Sequence, residues 1–170
     1  MAMRIDVHSR KQVAVLEPRK NVWVISIHTP GDEAAPLQPG WESVHRFCFS
    51  DIAGDSVEMM LWVRELQEQG REVILFDMAM AREIRYIVQQ AVRFNKDLIV
   101  HCDAGVSRSQ AVARWARQVF NAEVVSHTIG TDHHANGLVL RHLMWLEWQE
   151  TFANRGTFTT DHEDAWGNDE

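Results

Sequence analysis

An α/β fold, with a mostly parallel central sheet flanked by helices, is what this sequence predicts, on three observations. The chain has 170 residues, 45% of them apolar, which is enough for one domain with a sizeable core. Short apolar runs alternate with stretches of helical period, the order of an α/β layer fold. One apolar run also passes through a cysteine directly into a helix, the kind of junction at which open α/β sheets bind ligands. A single domain is expected over residues 1–155. An acidic, flexible tail is expected over residues 156–170, because the last ten residues hold five acids and no Lys or Arg.

Each element has its own signal. Val13 to Leu16 is a short apolar run, and Val22 to Ile27 (VWVISI) reads as a strand. The loop Thr29 to Gly40 is broken by Pro30, Gly31, Pro36, Pro39 and Gly40. Val44 to Phe49 alternates as a second strand. Ser56 to Gln69 spaces Val57, Met60, Leu61, Val63 and Leu66 as a helix, with Asp55 or Ser56 to cap it and Gly70 to end it. Val73 to Phe76 is a buried strand or a turn. Ala79 to Phe94 puts Ile84, Ile87, Val88 and Ala91 on one helical face. Asp97 to Val100 is a buried strand, followed by a helix from Ser109 to Phe120. Gly137 to Phe152 is the last helix, with a broad apolar surface. Trp62, Trp115, Trp145 and Trp148 fall on helices, where core packing is the expectation; Trp41 falls in a loop.

Composition excludes several classes. Two cysteines, Cys48 and Cys102, cannot staple a disulfide scaffold. No run approaches the roughly 18 apolar residues of a membrane span. Met1 to Arg10 alternates polar and apolar residues without a signal-peptide core. A cytoplasmic protein with no membrane partner is expected. Net charge is −7, from 17 Lys+Arg against 24 Asp+Glu. Without the tail the body is nearly neutral, and no basic footprint for nucleic acid is present.

The informative stretch is LIVHCDAGVSRSQAV, residues 98–112. A strand ends at His101, Cys102 follows, and Asp103 to Arg108 open a helix. A short loop wrapping into a helix start turns successive N–H groups toward one point and makes an anion nest, which the helix dipole strengthens. Gly105 allows a backbone conformation that other residues resist. Arg108 offers a planar fork for two phosphate oxygens. A positive field at the base of such a nest favours the thiolate of Cys102. A thiolate beneath a bound phosphate is a nucleophile aimed at phosphorus.

HCDAGVSRS resembles the active-site loop of the cysteine-dependent protein tyrosine and dual-specificity phosphatases, His-Cys-x5-Arg-Ser/Thr. It is most similar to the small predicted tyrosine phosphatases of bacteria and phages. FSDI (Phe49 to Ile52) looks like their strand ending in Asp-Ile, and LFDMAMAREI like their Leu-Phe-x5-Ala helix entry. HANGLVLRHL resembles their Pro-Asn-x-x-Val helix start, with Ala135 in place of proline. The likeness covers residues 22–150. It implies a tyrosine-phosphatase-like fold and a phosphoprotein or small phosphomonoester as substrate, with no cofactor and no metal. Cys102 would form a phosphocysteine. Arg108 and the N–H groups of Asp103, Ala104, Gly105, Val106, Ser107 and Arg108 would bind the phosphate. Ser109 would help the phosphoenzyme break down, and His101 would brace the loop. A carboxylic acid must protonate the leaving group; Asp51 matches the family pattern, with Asp55 and Asp77 as alternatives. The absence of lysine within the loop disfavours highly phosphorylated lipids.

Other residues read more plainly. His127, His133 and His134 with Asp132, and His142, match no zinc spacing and are expected as loop and surface histidines. Arg82, Arg85, Arg114 and Arg117 are helix surface charges, of which one or two could rim the pocket. Cys48 reads as a buried hydrophobe; the family likeness adds a reversible disulfide with Cys102. Two other functions use the same residues: a catalytically weak phosphate-binding module that docks a phosphorylated partner, and arsenate reduction or sulfur transfer on the cysteine loop.

Overall fold

The computed structural model describes residues 2–155; the acidic tail lies outside the described residues. Five strands form one sheet in the order β3-β2-β4-β1-β5, and every pairing is parallel. They are β1 (Arg4–Ser9), β2 (Val22–His28), β3 (Ser43–Cys48), β4 (Asp97–Cys102) and β5 (Glu123–Ser126). The helices are α1 (Arg10–Ala14), α2 (Val57–Glu68), α3 (Met78–Arg93), α4 (Arg108–Phe120) and α5 (Gly137–Arg155).

Parallel sheets are covered on both faces, and the pleat here divides the strands cleanly. Ile5, Val7, Ile25, Ile27, Leu98, Val100 and Cys102 belong to the larger core, which α3, α4 and α5 complete with residues such as Ile84, Val88, Val112, Trp115 and Leu143. The opposite face holds Val22, Val24 and Ile99, covered by Val13 of α1 and by Ala35, Leu37 and Trp41 of the long loop after β2. Polar groups are buried on that second face, among them Asp6, His8, Ser26 and His101.

Several expectations are corrected. The amino-terminal alternation forms the interior strand β1, and Glu123–Ser126 adds an edge strand. Val13 sits in the five-residue helix α1, while Leu16 follows it. Val73 to Phe76 joins no sheet; it runs beside the loop after β3, where the Ser50 N–H donates to the Ile74 carbonyl at 2.8 Å. FSDI does not end a strand, because β3 stops at Cys48 and Asp51 lies in the following loop. Ser56, not Asp55, caps α2. Of the four helix tryptophans only Trp115 is in the core; Trp62, Trp145 and Trp148 are about half exposed. Trp41 packs under the second face. Among the described residues no helix is long and apolar enough to cross a membrane.

Candidate active site

β4 is the central strand, and its carboxyl end delivers Cys102 between the ends of β1 and β2. The loops leaving those two neighbours therefore meet the 103–108 loop. From the β1 side, the Arg10 N–H donates to the Asp103 carbonyl at 3.0 Å. From the β2 side, Thr29 Oγ1 donates to Asp103 Oδ2 at 2.6 Å. The residue after β3 contributes as well, since the Phe49 carbonyl accepts from Arg108 Nη1 at 2.7 Å.

The carbonyls of the loop are held from outside. That of Asp103 is taken by Arg10. The Gly105 carbonyl accepts from Gln110 Nε2 at 3.0 Å and from Thr128 Oγ1 at 2.8 Å. The Ser107 carbonyl accepts from the N–H groups of Ala111 and Asn136, both at 3.1 Å. Among the described residues no peptide bond is cis, so each carbonyl opposes the next residue's N–H. The N–H groups of Ala104, Val106 and Arg108 are thus aimed away from these anchors, toward the inside of the loop. No backbone N–H from Ala104 to Ser107 has a protein acceptor among the described residues. Inward donors of this kind make an anion nest.

Gly105 is required by this arrangement. Its φ is +71°, and a Cβ there would stand 2.6 Å from Thr128 Cγ2 and 2.7 Å from the His8 carbonyl oxygen. Gly130 is constrained by space alone, with a Cβ placed 2.6 Å from the Gly105 oxygen.

Cys102 is 2% exposed, and Ser109, in the first turn of α4, brings Oγ to 3.2 Å from Sγ. Arg108 is likewise 2% exposed. Its Nη2 donates to Asp103 Oδ2 at 2.6 Å, while its buried Nε has no protein partner among the described residues. Burial acts to raise the Asp103 carboxyl, but the Thr29 and Arg108 hydrogen bonds outweigh it and hold the group below the usual range. His101 is fully buried. Its Nε2 lies 2.7 Å from Ser26 Oγ and its Nδ1 3.5 Å from the Cys102 carbonyl, and burial pulls its pKa down to about 4, so it is a neutral brace at pH 7.

The three acid candidates separate. Asp51 Oδ1 accepts from Ser107 Oγ and from Asn136 Nδ2, both at 2.7 Å, so this carboxylate touches the loop. Asp77 caps α3 by accepting from the Met80 N–H at 2.9 Å. Asp55 pairs with Arg141 at 3.2 Å on the exterior. Asn136, a residue given no role from sequence, also bonds the Ile52 carbonyl and caps the first turn of α5 through Val139 N–H. Thr29, Gln110 and Thr128 were equally unassigned. Their only sequence signal is position: Thr29 directly follows β2, Thr128 lies between β5 and Gly130, and Gln110 sits in the first turn of α4.

The remaining candidates lie elsewhere. Cys48 points to the face of Arg46 and Ser26, whereas Cys102 points to the opposite face. It is also two strands away, about 9.6 Å at the usual strand spacing, beyond disulfide reach; both thiols are free. Burial and Glu72 raise the Cys48 thiol pKa, against the pull of Arg108. Arg85 ties α3 to α5 through Glu147 and Glu150, both at 2.7 Å. Arg114 and Arg117 hold Asp132. His127 stacks on His8 and pairs with Asp6 at 2.8 Å. Among the described residues no three of His, Cys, Asp and Glu are grouped to hold a metal. An open cleft lies on the Asp103–Ala104 side of the loop, bounded by Arg10, Lys11, Asp32 and Glu33.

Comparison of the chain with family models, with curated proteins and with solved structures returns no match.

Proposed function

We propose that this chain is a cysteine-dependent phosphomonoester hydrolase, a cytoplasmic protein tyrosine or dual-specificity phosphatase in its chemistry and its fold type, acting without a metal. Its substrate is a phosphorylated protein or a small phosphomonoester, not a nucleic acid or a membrane component. What supports this is the meeting in one loop of Cys102 Sγ, the N–H groups from Ala104 to Ser107 and the Nε of buried Arg108, neither the N–H groups nor Nε having a protein acceptor among the described residues.

The reaction has two displacements. The Cys102 thiolate attacks phosphorus while Arg108 and the loop N–H groups hold the equatorial oxygens, where charge is carried in the transition state. The phosphorus–oxygen ester bond breaks as the sulfur–phosphorus bond forms. Asp51, in its acid form, gives a proton to the leaving oxygen. Its carboxylate then takes a proton from water, whose oxygen attacks the phosphocysteine. Phosphate leaves, and Ser109 donates a hydrogen bond to the departing thiolate of Cys102.

Hydrolysis of para-nitrophenyl phosphate with EDTA and reductant tests the proposal. Cys102→Ser should abolish turnover and keep vanadate binding, and Arg108→Ala should lose both. An active Cys102→Ser protein sinks the mechanism. A wild type that binds vanadate without turnover would point instead to a docking module.

A further inference from the structure

The Asp103 side chain stands inside a loop whose task is to attract an anion, and its carboxylate is 2.6 Å from the guanidinium that would bind one. A negative charge there opposes phosphate, so its presence calls for a compensating role. The geometry of Arg108 supplies it. The Nη1 end is held by the Phe49 carbonyl, and the Phe49 ring lies 5.9 Å from Cζ. The Nη2 end is held by Asp103 Oδ2. Among the described residues Nε–H has no partner, and one of the two Nη2 hydrogens lies beside it. A guanidinium gripped at both ends keeps one donor pair in a fixed direction.

Asp103 is gripped in turn. The same Oδ2 accepts from Thr29 Oγ1 at 2.6 Å, and the Asp103 carbonyl accepts from the Arg10 N–H. The residue after β1 therefore holds the Asp103 backbone, the residue after β2 holds its carboxylate, and the carboxylate sets Arg108.

We propose that Asp103 is the positioning residue for Arg108, braced by Thr29, and that anion binding depends on its contacts and not on its charge. The inference rests on the phosphate-binding reading of the loop. Asparagine is nearly isosteric, and its single amide oxygen can accept from both Thr29 and Arg108. Alanine accepts from neither. The two substitutions remove the same charge and differ only in the brace.

The test is calorimetric titration of the full chain with tungstate at pH 7 under reducing conditions, which reads anion binding without turnover. Asp103→Ala should weaken binding at least tenfold. Asp103→Asn should bind at least as tightly as wild type, a rescue that a carboxylate acting only through its charge would not show. Thr29→Val, which frees the carboxylate on one side, should weaken binding about threefold, less than Asp103→Ala; it also serves if the alanine variant does not fold. Tighter or unchanged binding in Asp103→Ala, equal weakening in the Asn and Ala variants, or wild-type affinity in Thr29→Val would overturn the positioning role and leave the phosphate site standing. A wild type that binds no tungstate would overturn both.

Discussion

Lowering the pH from 7.5 to 5 should destabilise the fold, and two histidines set the size of the effect. His101 is fully buried and His8 is 6% exposed. Burial lowers both pKa values to about 4. For His8, the neighbouring His127 and Arg19 push the same way and Asp6 opposes them. For His101, the Cys102 carbonyl pulls upward without prevailing. In the unfolded chain each titrates near 6.5. Between those limits the unfolded state binds protons that the folded state refuses. Stability is therefore full above about pH 6.5 and declines as the pH falls toward 4. At pH 5 each histidine costs about 2 kcal/mol. The pair then removes ~4 kcal/mol, a large part of the 5–15 kcal/mol usual for a domain. Asp6 does not obscure this window. Burial raises its pKa, but bonds from Arg4, His127 and Arg19 bring it down to about 2, so its contribution is lost between the ordinary carboxylate value near 4 and about 2, below the histidine window. Urea unfolding followed by tryptophan fluorescence at the two pH values measures the loss, and His8→Gln should reduce it by about half. Equal stability at pH 7.5 and 5, or an undiminished loss in His8→Gln, refutes burial as the cause.

Two further outcomes are expected. Asp51→Asn should lower kcat about 100-fold for phosphate esters of poor leaving groups and much less for para-nitrophenyl phosphate; a uniform loss across leaving groups would remove Asp51 from the acid role. Gly105→Ala should destabilise the protein by at least ~1–2 kcal/mol for the left-handed backbone alone, and the overlap with Thr128 and the His8 carbonyl should add to it. A Gly105→Ala protein with wild-type melting temperature and tungstate affinity would show that the loop does not need its observed conformation.

The layer class was legible in the sequence because the buried strands β2 and β4 are dense in Val, Ile and Leu and the helices keep their period. β1 was not, because its pleat interleaves Ile5 and Val7 with Asp6 and His8, and buried polar residues mimic a surface segment. Four-residue β5 is too short to show a period. In the candidate site, the local part was readable: strand, Cys102, Gly105, Arg108 and Ser109 lie within a dozen residues. The contacts that orient it were not. Thr29, Phe49, Asn136 and Thr128 reach the loop across 23 to 74 residues of chain, and only the strand order brings them together. Asp51 could not be separated from Asp55 and Asp77 for the same reason, since all three precede helices and only one meets Ser107.

The parts of the proposed chemistry are mounted on supports of unequal strength. Cys102 and Arg108 stand on the central strand and on a helix buried along most of its length. Asp51 stands on a loop that leads into α2, and α2 buries only Val63. Local opening proceeds from the elements with fewest buried contacts. Amide protons of α2 should therefore exchange with solvent well before those of β4. Mild denaturation would disengage the acid first, leaving a molecule that still holds phosphate and still forms the phosphocysteine from activated esters. The nucleophile and its cradle would fail only with the domain as a whole.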